Sequence, residues 1–277
     1  MLKKEQIAGA NYAYLRCSFE EFVQSMERLG VEHIEMYGAS PHLFVFNSPL
    51  ETARQRYRTL EAAGIDVICF TAEQCMYPVS LSTSDDVVWN RSLAYYMKSL
   101  EISAIMKSPM MQMIGGVCLL SDDSNEAWKR CREGIAKVAK RADELGIVIT
   151  LEADPMTVIK KTEDTVRMIN EIGMNNLTGL IDTNALGTNQ ESIEDAIELL
   201  GDKFTHMHFI DKRPAEPCLV PGEGVLPMSD YLTILSKRSY RGYLTPELWG
   251  FTYWDTPEEA TKRSLEYCWD FIDKEKG

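Results

Sequence analysis

The sequence predicts an α/β protein of one domain, a (β/α)8 TIM barrel that occupies residues 1–277. Short apolar runs alternate with longer helical patterns along the chain, which is typical of a parallel sheet whose strands are joined by helices. Eight such units can be counted, enough to close a barrel, and no linker or shift in composition divides them. The chain of 277 residues exceeds an average domain, but barrels of this class commonly reach this length.

The predicted strands are apolar runs bounded by turn residues and acids. An open doubly wound sheet is the competing architecture, but no Gly-rich phosphate loop follows the first strand to favour it. In chain order, the strands are predicted at residues 6–12, 31–37, 65–71, 110–115, 147–152, 177–182, 204–210 and 242–248.

Helix start and stop signals lie between these strands. Ser18 and Glu21 have the spacing of a capping box, and Gly30 is placed to end that helix. Ser48-Pro49 is predicted to open the second helix, with Pro at the first helical position. The remaining signals are Gly64 at the end of the second helix, Ser84-Asp85-Asp86 for the third, Ser124 with Glu126 and then Gly146 for the fourth, and Thr162, Ser192 and Thr256 for later helices.

One long stretch without a predicted element runs from Lys212 to Met228 and contains four prolines. It follows the seventh strand, so in a barrel it lies over the mouth formed by the C-terminal ends of the strands. Loops of this length are usually functional, and we therefore expect a lid or a binding element here.

Composition excludes several classes of partner. The formal charge of −13 repels phosphate backbones and anionic membranes, so neither nucleic acid nor a membrane is an expected partner. The seven cysteines are odd in number and lack C-x-x-C spacing, which favours a reducing compartment. No apolar run resembles a signal peptide or a membrane span. We therefore expect a cytoplasmic protein.

The ends of the last four predicted strands carry Glu152, Asp182, His208 and Glu247. In a barrel these strand ends face one mouth, so the four side chains are predicted to converge. Carboxylates in such a position repel one another unless a cation, a proton or a basic side chain lies between them. Three carboxylates with one imidazole suit one divalent ion, Mn²⁺ first, with Mg²⁺, Co²⁺ and Ni²⁺ as alternatives. His206 lies one layer deeper, where a hydrogen-bonded core role and a role beside the ligands or substrate are both open.

These motifs resemble those of the xylose isomerase-like sugar isomerase/epimerase superfamily, and in particular the ketose 3-epimerases of the tagatose, psicose and fructoselysine type. The resemblance extends over nearly the whole chain. The matching segments are Leu151-Glu152, Ile181-Asp182-Thr183, His206-Met207-His208, Glu247, Pro221-Gly222-Glu223-Gly224, Ile34-Glu35-Met36-Tyr37-Gly38 with Pro41-His42, and Thr71-Ala72-Glu73 with Tyr77-Pro78.

The resemblance implies a metal held by Glu152, Asp182, His208 and Glu247, which polarises the carbonyl of a sugar substrate. It also implies that Glu152 and Glu247 are catalytic, one removing the proton next to the carbonyl and the other returning it on the opposite face. The substrate-binding residues expected from these segments and the adjacent mouth are Tyr37, His42, Glu73, His206 and Trp249.

Two departures from the ketose 3-epimerase pattern disfavour a free ketohexose as the substrate. Ala185 stands where these enzymes usually carry a substrate-binding His, and Val158 stands where they carry a Glu. The expected reaction is therefore 3-epimerisation of a ketose or a modified ketose, and a larger ligand could stack on aromatic faces at the mouth. The candidate aromatic rim consists of Tyr37, His42, Phe44, Tyr77, Trp249, Phe251 and Trp254.

A different reaction class remains open. The large subunit of C-glycoside deglycosidases resembles the same family, and such a lyase would use the same proton abstraction to cleave the carbon–carbon bond of a 3-oxo-glucoside. A DNA-repair endonuclease of this superfamily is disfavoured, because it needs more His ligands than the four histidines here supply. We expect a homo-oligomer, or a hetero-oligomer with a small second subunit in the case of the lyase.

Overall fold

The computed structural model describes residues 1–74 and 79–276. Tyr77 and Pro78, named above for the aromatic rim and for a family segment, lie outside the described residues, as does Cys75. The strands of the described chain are β1 (Gly9–Ala10), β2 (His33–Gly38), β3 (Asp66–Ala72), β4 (Met110–Ile114), β5 (Val148–Glu152), β6 (Leu177–Asp182), β7 (Phe204–His208), β8 (Asp211–Arg213), β9 (Glu216–Leu219) and β10 (Tyr243–Thr245).

Among the described residues, eight parallel strands form a nearly closed barrel, which confirms the predicted fold class. They pair in chain order from β1 to β7, and β10 pairs with β7. A parallel bridge between Ile7 and Leu244 joins the two ends of the sheet. There the N–H of Ala8 donates to the carbonyl of Leu244 at 2.9 Å. All eight strands therefore present their C-terminal ends at one mouth.

Helices connect and cover the strands. In the described chain they are α1 (Phe19–Leu29), α2 (Leu50–Ala62), α3 (Asp86–Ile105), α4 (Ser124–Glu144), α5 (Thr162–Ile172), α6 (Thr183–Asn189), α7 (Ile193–Leu200), α8 (Met228–Lys237) and α9 (Pro257–Lys276). The predicted cap of α1 is confirmed, because Ser18 Oγ accepts from the N–H of Glu21 at 3.1 Å and Gly30 follows the helix with φ of 68°. None of the helices within the described ranges has the length and apolar character that crossing a bilayer requires.

Three predicted helix starts are one residue out of place. Pro49 precedes α2 as its cap instead of being its first helical residue. Asp123 caps α4, with Ser124 as the first helical residue, and Lys161 similarly precedes α5. At α4 the physical reason is clear, because the Asp123 carboxylate accepts from the N–H groups of both Asn125 and Glu126, at 2.8 and 3.1 Å.

Two strand predictions also need correction. β1 spans only Gly9–Ala10 and not residues 6–12, because short 3₁₀ turns enclose it on both sides. The stretch from Lys212 to Met228, predicted to be irregular, begins within an antiparallel hairpin of β8 and β9. Ala215 forms the turn with φ of 65°. The interleaved prolines conceal the short strand pairing from a search for apolar alternation.

The rest of this loop is held by Asp211, the first residue of β8, whose side chain is fully buried. Its carboxylate accepts from the backbone N–H groups of Gly222, Gly224 and Leu226 at 3.0, 2.8 and 3.0 Å, and also from the N–H of Lys212 at 2.8 Å. The Pro221–Gly224 motif is therefore folded back onto the hairpin at the barrel mouth.

Candidate metal centre and active site

The structure brings the side chains of Glu152, Asp182, His208 and Glu247 together at the barrel mouth. One ligand atom from each lies within 4.8 Å of the others. His208 Nδ1 lies 3.2 Å from Glu152 Oε1, 3.2 Å from Glu247 Oε2 and 3.8 Å from Asp182 Oδ2. They come from the ends of β5, β6 and β7 and from just after β10, as the strand-end pattern predicts.

The electrostatics of this cluster suit a cation. Burial raises the pKa of Glu152 well above its ordinary value, and the nearby Glu247 and Asp182 raise it further against the opposing effect of His208. Burial likewise raises the pKa of Glu247. For His208 burial lowers the pKa, but Glu247, Glu35 and Glu152 together raise it well above its ordinary value. Three carboxylates facing one imidazole therefore fit a divalent ion, which would neutralise the excess negative charge.

Beneath this cluster lies Glu35 of β2, whose role the sequence analysis missed. Its carboxylate accepts from Tyr12 Oη at 2.8 Å, Thr71 Oγ1 at 2.6 Å and His206 Nε2 at 2.7 Å. His208 Nε2 lies 3.1 Å from the same carboxylate. Burial alone would raise the pKa of Glu35, but His208 and His206 hold it well below its ordinary value.

Glu35, His206 and His208 also lie close enough together to hold an ion by distance alone. Their side chains have no solvent exposure, and the Glu35 carboxylate has hydrogen-bond donors at both oxygens, three at Oε1 and one at Oε2. Hydrogen bonds thus account for this second group without a metal.

Glu152 is held on its other side by a chain of amides. Gln112 of β4 donates to Glu152 Oε2, and Gln74 donates to Gln112 Oε1. Tyr96 in turn donates to Gln74 Oε1 at 2.7 Å. This leaves Glu152 Oε1 directed towards His208. A usable sequence signal existed for Gln112, since it is a lone polar residue inside the otherwise apolar β4, whereas β2 carries His33 as well as Glu35.

A cavity of about 290 Å³ opens above the acids. Glu152, Asp182 and Glu247 line one side of it, and the remaining wall is mainly apolar. That wall includes Val117, Met156, Ala185, Pro217, Cys218 and Trp249. Pro217 and Cys218 belong to β9, so the Lys212–Met228 stretch does contribute to the mouth. Burial raises the pKa of the Cys218 thiol well above its ordinary value, with Glu247 and Asp182 adding to the effect, and this keeps it protonated.

The predicted substrate-binding residues divide into those near the cavity and those away from it. Trp249 lines the cavity, and its Nε1 donates to Tyr37 Oη at 3.3 Å. Tyr37 Oη donates to Glu73 Oε2, so Tyr37 and Glu73 lie behind Trp249. Tyr37 is only 2% exposed and stacks on Tyr12 with 4.5 Å between ring centroids. These two side chains therefore support Trp249.

The two histidines do not line the cavity within the described chain. His42 is buried beside Phe19 and Phe22, with its ring nitrogens 2.9 Å from Asn11 Nδ2 and 3.1 Å from the carbonyl of Cys17. His206 is fully buried against Glu35. His42 therefore packs behind the strands and His206 faces the carboxylate beneath the four-residue cluster, and a direct sugar contact from either side chain stays a prediction.

The predicted aromatic rim is also not assembled around the cavity by the residues that the structure describes. Phe251 is 82% exposed and packs edge-on against Trp254. Trp254 borders a separate surface cleft with Arg16 and Arg28. Phe44 packs against Phe46, with 5.8 Å between ring centroids. Of the described rim candidates, Trp249 alone borders the cavity.

Comparison with known proteins agrees with this geometry. The Xylose isomerase-like TIM barrel family model matches residues 23–270. The chain belongs to this family. Fructoselysine 3-epimerase of Escherichia coli O157:H7 is 23% identical over 257 residues, which cover 91% of this chain and 92% of that protein. D-Psicose 3-epimerase of Agrobacterium fabrum is 27% identical over 255 residues, with coverage of 86% and 83%.

Among solved structures, the 3-keto-D-glucoside 4-epimerase from E. coli superposes with a TM-score of 0.78 at 18% identity. The alignment covers 96% of this chain and 99% of that one. At this level of identity the likeness establishes a shared fold.

Proposed function

We propose that this chain is a divalent-metal-dependent sugar epimerase that inverts a carbon next to a ketone. The observation that carries the proposal is the convergence of three carboxylates and one imidazole within 4.8 Å at the base of a cavity. The similarity to fructoselysine 3-epimerase and D-psicose 3-epimerase supports a ketose or a modified ketose as the substrate class.

In the proposed reaction, Glu152 and Glu247 move the proton. A divalent ion held by Glu152, Asp182, His208 and Glu247 would supply positive charge that acidifies the C–H bond beside the sugar carbonyl. Glu152 comes from β5 and Glu247 follows β10, with β6 and β7 between them, which supports an approach from two sides of one sugar carbon. One glutamate takes the proton and the other returns a proton to the opposite face, so the carbon is inverted.

Burial raises the pKa of both glutamates in the absence of a cation, and a bound divalent ion would offset this effect and favour the carboxylate form that takes up the proton. Gln112 holds one oxygen of Glu152 and so limits its rotation. We propose Mn²⁺ as the resident metal. A site of carboxylate oxygens and a single imidazole suits this ion, whereas softer ions prefer sites rich in thiolates.

The experiment is solvent exchange in deuterated water. Protein stripped with a chelator is reloaded with Mn²⁺ and incubated with ketoses and fructosamine-type sugars, and deuterium at C3 is measured by NMR. Exchange that requires Mn²⁺ is expected, together with the appearance of the C3 epimer. Glu152→Gln and Glu247→Gln should each abolish exchange. Glu216→Gln, which changes an exposed glutamate of the mouth hairpin, is the matched control and should retain it. Mn²⁺ binding without exchange in any such sugar would refute the proposal.

A second candidate is a lyase that cleaves the carbon–carbon glycosidic bond of 3-oxo-glucosides. The observation in its favour is the apolar wall, where Ala185, Met156 and Pro217 adjoin the acids and provide a surface for an apolar aglycone. The same proton abstraction would then end in loss of the aglycone instead of reprotonation. Release of free aglycone from a 3-oxo-C-glucoside, assayed with and without a small second subunit, would replace the epimerase proposal with this one.

A further inference from the structure

We propose that Glu35 is a positioning residue for the metal centre, which holds the His208 imidazole so that Nδ1 presents its lone pair to the cation. This inference rests on the proposed metal site and adds a residue that lies outside the ligand set. Its basis is the opposed placement of the two ring nitrogens of His208. Nδ1 faces the carboxylates of Glu152 and Glu247 at 3.2 Å, and Nε2 faces Glu35 Oε1 at 3.1 Å.

This placement selects one tautomer. A neutral imidazole carries one N–H and one lone pair. With the proton on Nε2, His208 donates to the Glu35 carboxylate and offers Nδ1 to an ion. With the proton on Nδ1, the N–H would point at the cation and the lone pair of Nε2 would face a carboxylate, which is unfavourable at both ends. A carboxylate that orients a metal-ligating histidine in this way is a recurrent arrangement in metal sites.

Glu35 is itself well fixed for this purpose. Its side chain has no solvent exposure. Tyr12 and Thr71 donate to the same oxygen that faces His208, at 2.8 and 2.6 Å, while His206 donates to the other oxygen at 2.7 Å. Rotation of the carboxylate would break several of these bonds at once. The acceptor presented to His208 therefore has a defined direction.

His206 provides a matched control. It lies on β7 two residues before His208, is equally buried and contacts the same carboxylate. It does not belong to the four-residue cluster that contains Glu152. If Glu35 were only a structural ion-pair partner, substitutions at Glu35 and at His206 would change the Kd for Mn²⁺ by similar factors. If it acts through His208, only the change at Glu35 will weaken metal binding.

The test is a titration of each metal-free protein with Mn²⁺ alone, with the free ion measured by its EPR signal. Glu35→Gln leaves one amide oxygen for the two imidazoles and removes the charge, and it is expected to raise the Kd for Mn²⁺ by about 10- to 100-fold. His206→Gln keeps an N–H donor towards Glu35 and should leave the Kd nearly unchanged. Equal loss in both variants, or no loss in Glu35→Gln, would overturn the inference while leaving the metal site intact. Absence of Mn²⁺ binding in the wild-type protein would instead refute the proposed function, and the inference with it.

A second measurement does not depend on any variant at Glu35 folding. The wild-type protein is labelled with ¹⁵N-histidine and loaded with diamagnetic Mg²⁺, and long-range ¹H–¹⁵N spectra report the tautomer of each ring. Only four histidines contribute signals, and His206→Gln removes one of the two that lie inside the barrel. We expect His208 to carry its proton on Nε2. A proton on Nδ1 would exclude the positioning role.

Discussion

Replacement of Asp211 by Asn should loosen the hairpin that forms part of the cavity wall. The wild-type carboxylate is fully buried and accepts from four backbone N–H groups at 2.8–3.0 Å. Lys212 and Leu226 donate to one oxygen, and Gly222 and Gly224 donate to the other. The Asn side chain retains one acceptor oxygen and places an NH₂ group against the other pair of donors, so two charge-assisted bonds are lost.

The expected free-energy cost follows from the number of hydrogen bonds that the substitution removes. Hydrogen bonds to a charged group contribute about 1.5–3 kcal/mol each, so the loss of two predicts a penalty of about 3–6 kcal/mol in the closed loop. Total stability of a domain is only about 5–15 kcal/mol. Because the loop lies at the mouth and not in the helix–strand core, the chain can avoid part of this penalty by opening the loop locally.

The assay is therefore limited proteolysis together with urea denaturation. Asp211→Asn should be cleaved within residues 212–227 much faster than the wild-type protein, with a smaller decrease in the free energy of global unfolding. Glu216→Gln serves as the control, since this exposed residue of β9 pairs only with Arg213 among the ion pairs of the described chain. Equal cleavage rates and equal unfolding midpoints in wild type and Asp211→Asn would refute the reasoning.

Three further predictions concern the metal, the cavity and the surface. Binding of Mn²⁺ to metal-free protein should release protons and weaken as the pH falls, because burial raises the pKa of Glu152 and of Glu247 whereas a cation favours the deprotonated carboxylates. Calorimetry in buffers of different ionisation enthalpy measures the proton release, and a heat that does not depend on the buffer would contradict it. Ala185→Phe places a ring in the cavity and should reduce kcat/KM by about tenfold or more, while the Kd for Mn²⁺ stays unchanged. Equal kcat/KM in the variant and the wild-type protein would show that the substrate does not contact this wall. Glu171 accepts from Trp128, Arg167 and Arg132, which lowers its pKa from the ordinary value of 4.5 to about 2. Its contribution to the free energy of unfolding is thus fully present above pH 4.5 and is lost as the pH falls towards 2. The difference in urea midpoint between wild type and Glu171→Gln, measured with chelator present, should therefore shrink over that range. A difference that stays constant would exclude this contribution.

The fold class and the four-residue cluster were both predictable from the sequence. Glu152 and Asp182 each end an apolar run that is too short for a helix. His208 ends the more mixed run Phe204–His208, and Glu247 lies two residues after β10. Parallel strands in a barrel all end on one side, so a strand-end residue is directed to the mouth wherever its strand lies in the ring. The convergence therefore follows from chain direction and hydrophobic pattern without any knowledge of packing.

The support beneath the cluster was not predictable in the same way. The contact between Glu35 and His208 joins residues 173 positions apart in the sequence, and it depends on the stagger of the strands across the barrel interior. The surroundings of His42 were equally hidden, because its place in a family segment suggested a position at the mouth. The turn after β2 instead buries its ring between Phe19 and Phe22.

By itself, the sequence determined which residues lie at strand ends, because apolar periodicity and chain direction are local properties. Tertiary structure alone decided which side chains meet across the barrel and which aromatic residues line the cavity. It also decided how Asp211 holds the mouth hairpin. Those outcomes depend on register, strand stagger and loop closure, in which small shifts in the relative placement of distant segments determine whether two polar groups bond or face solvent.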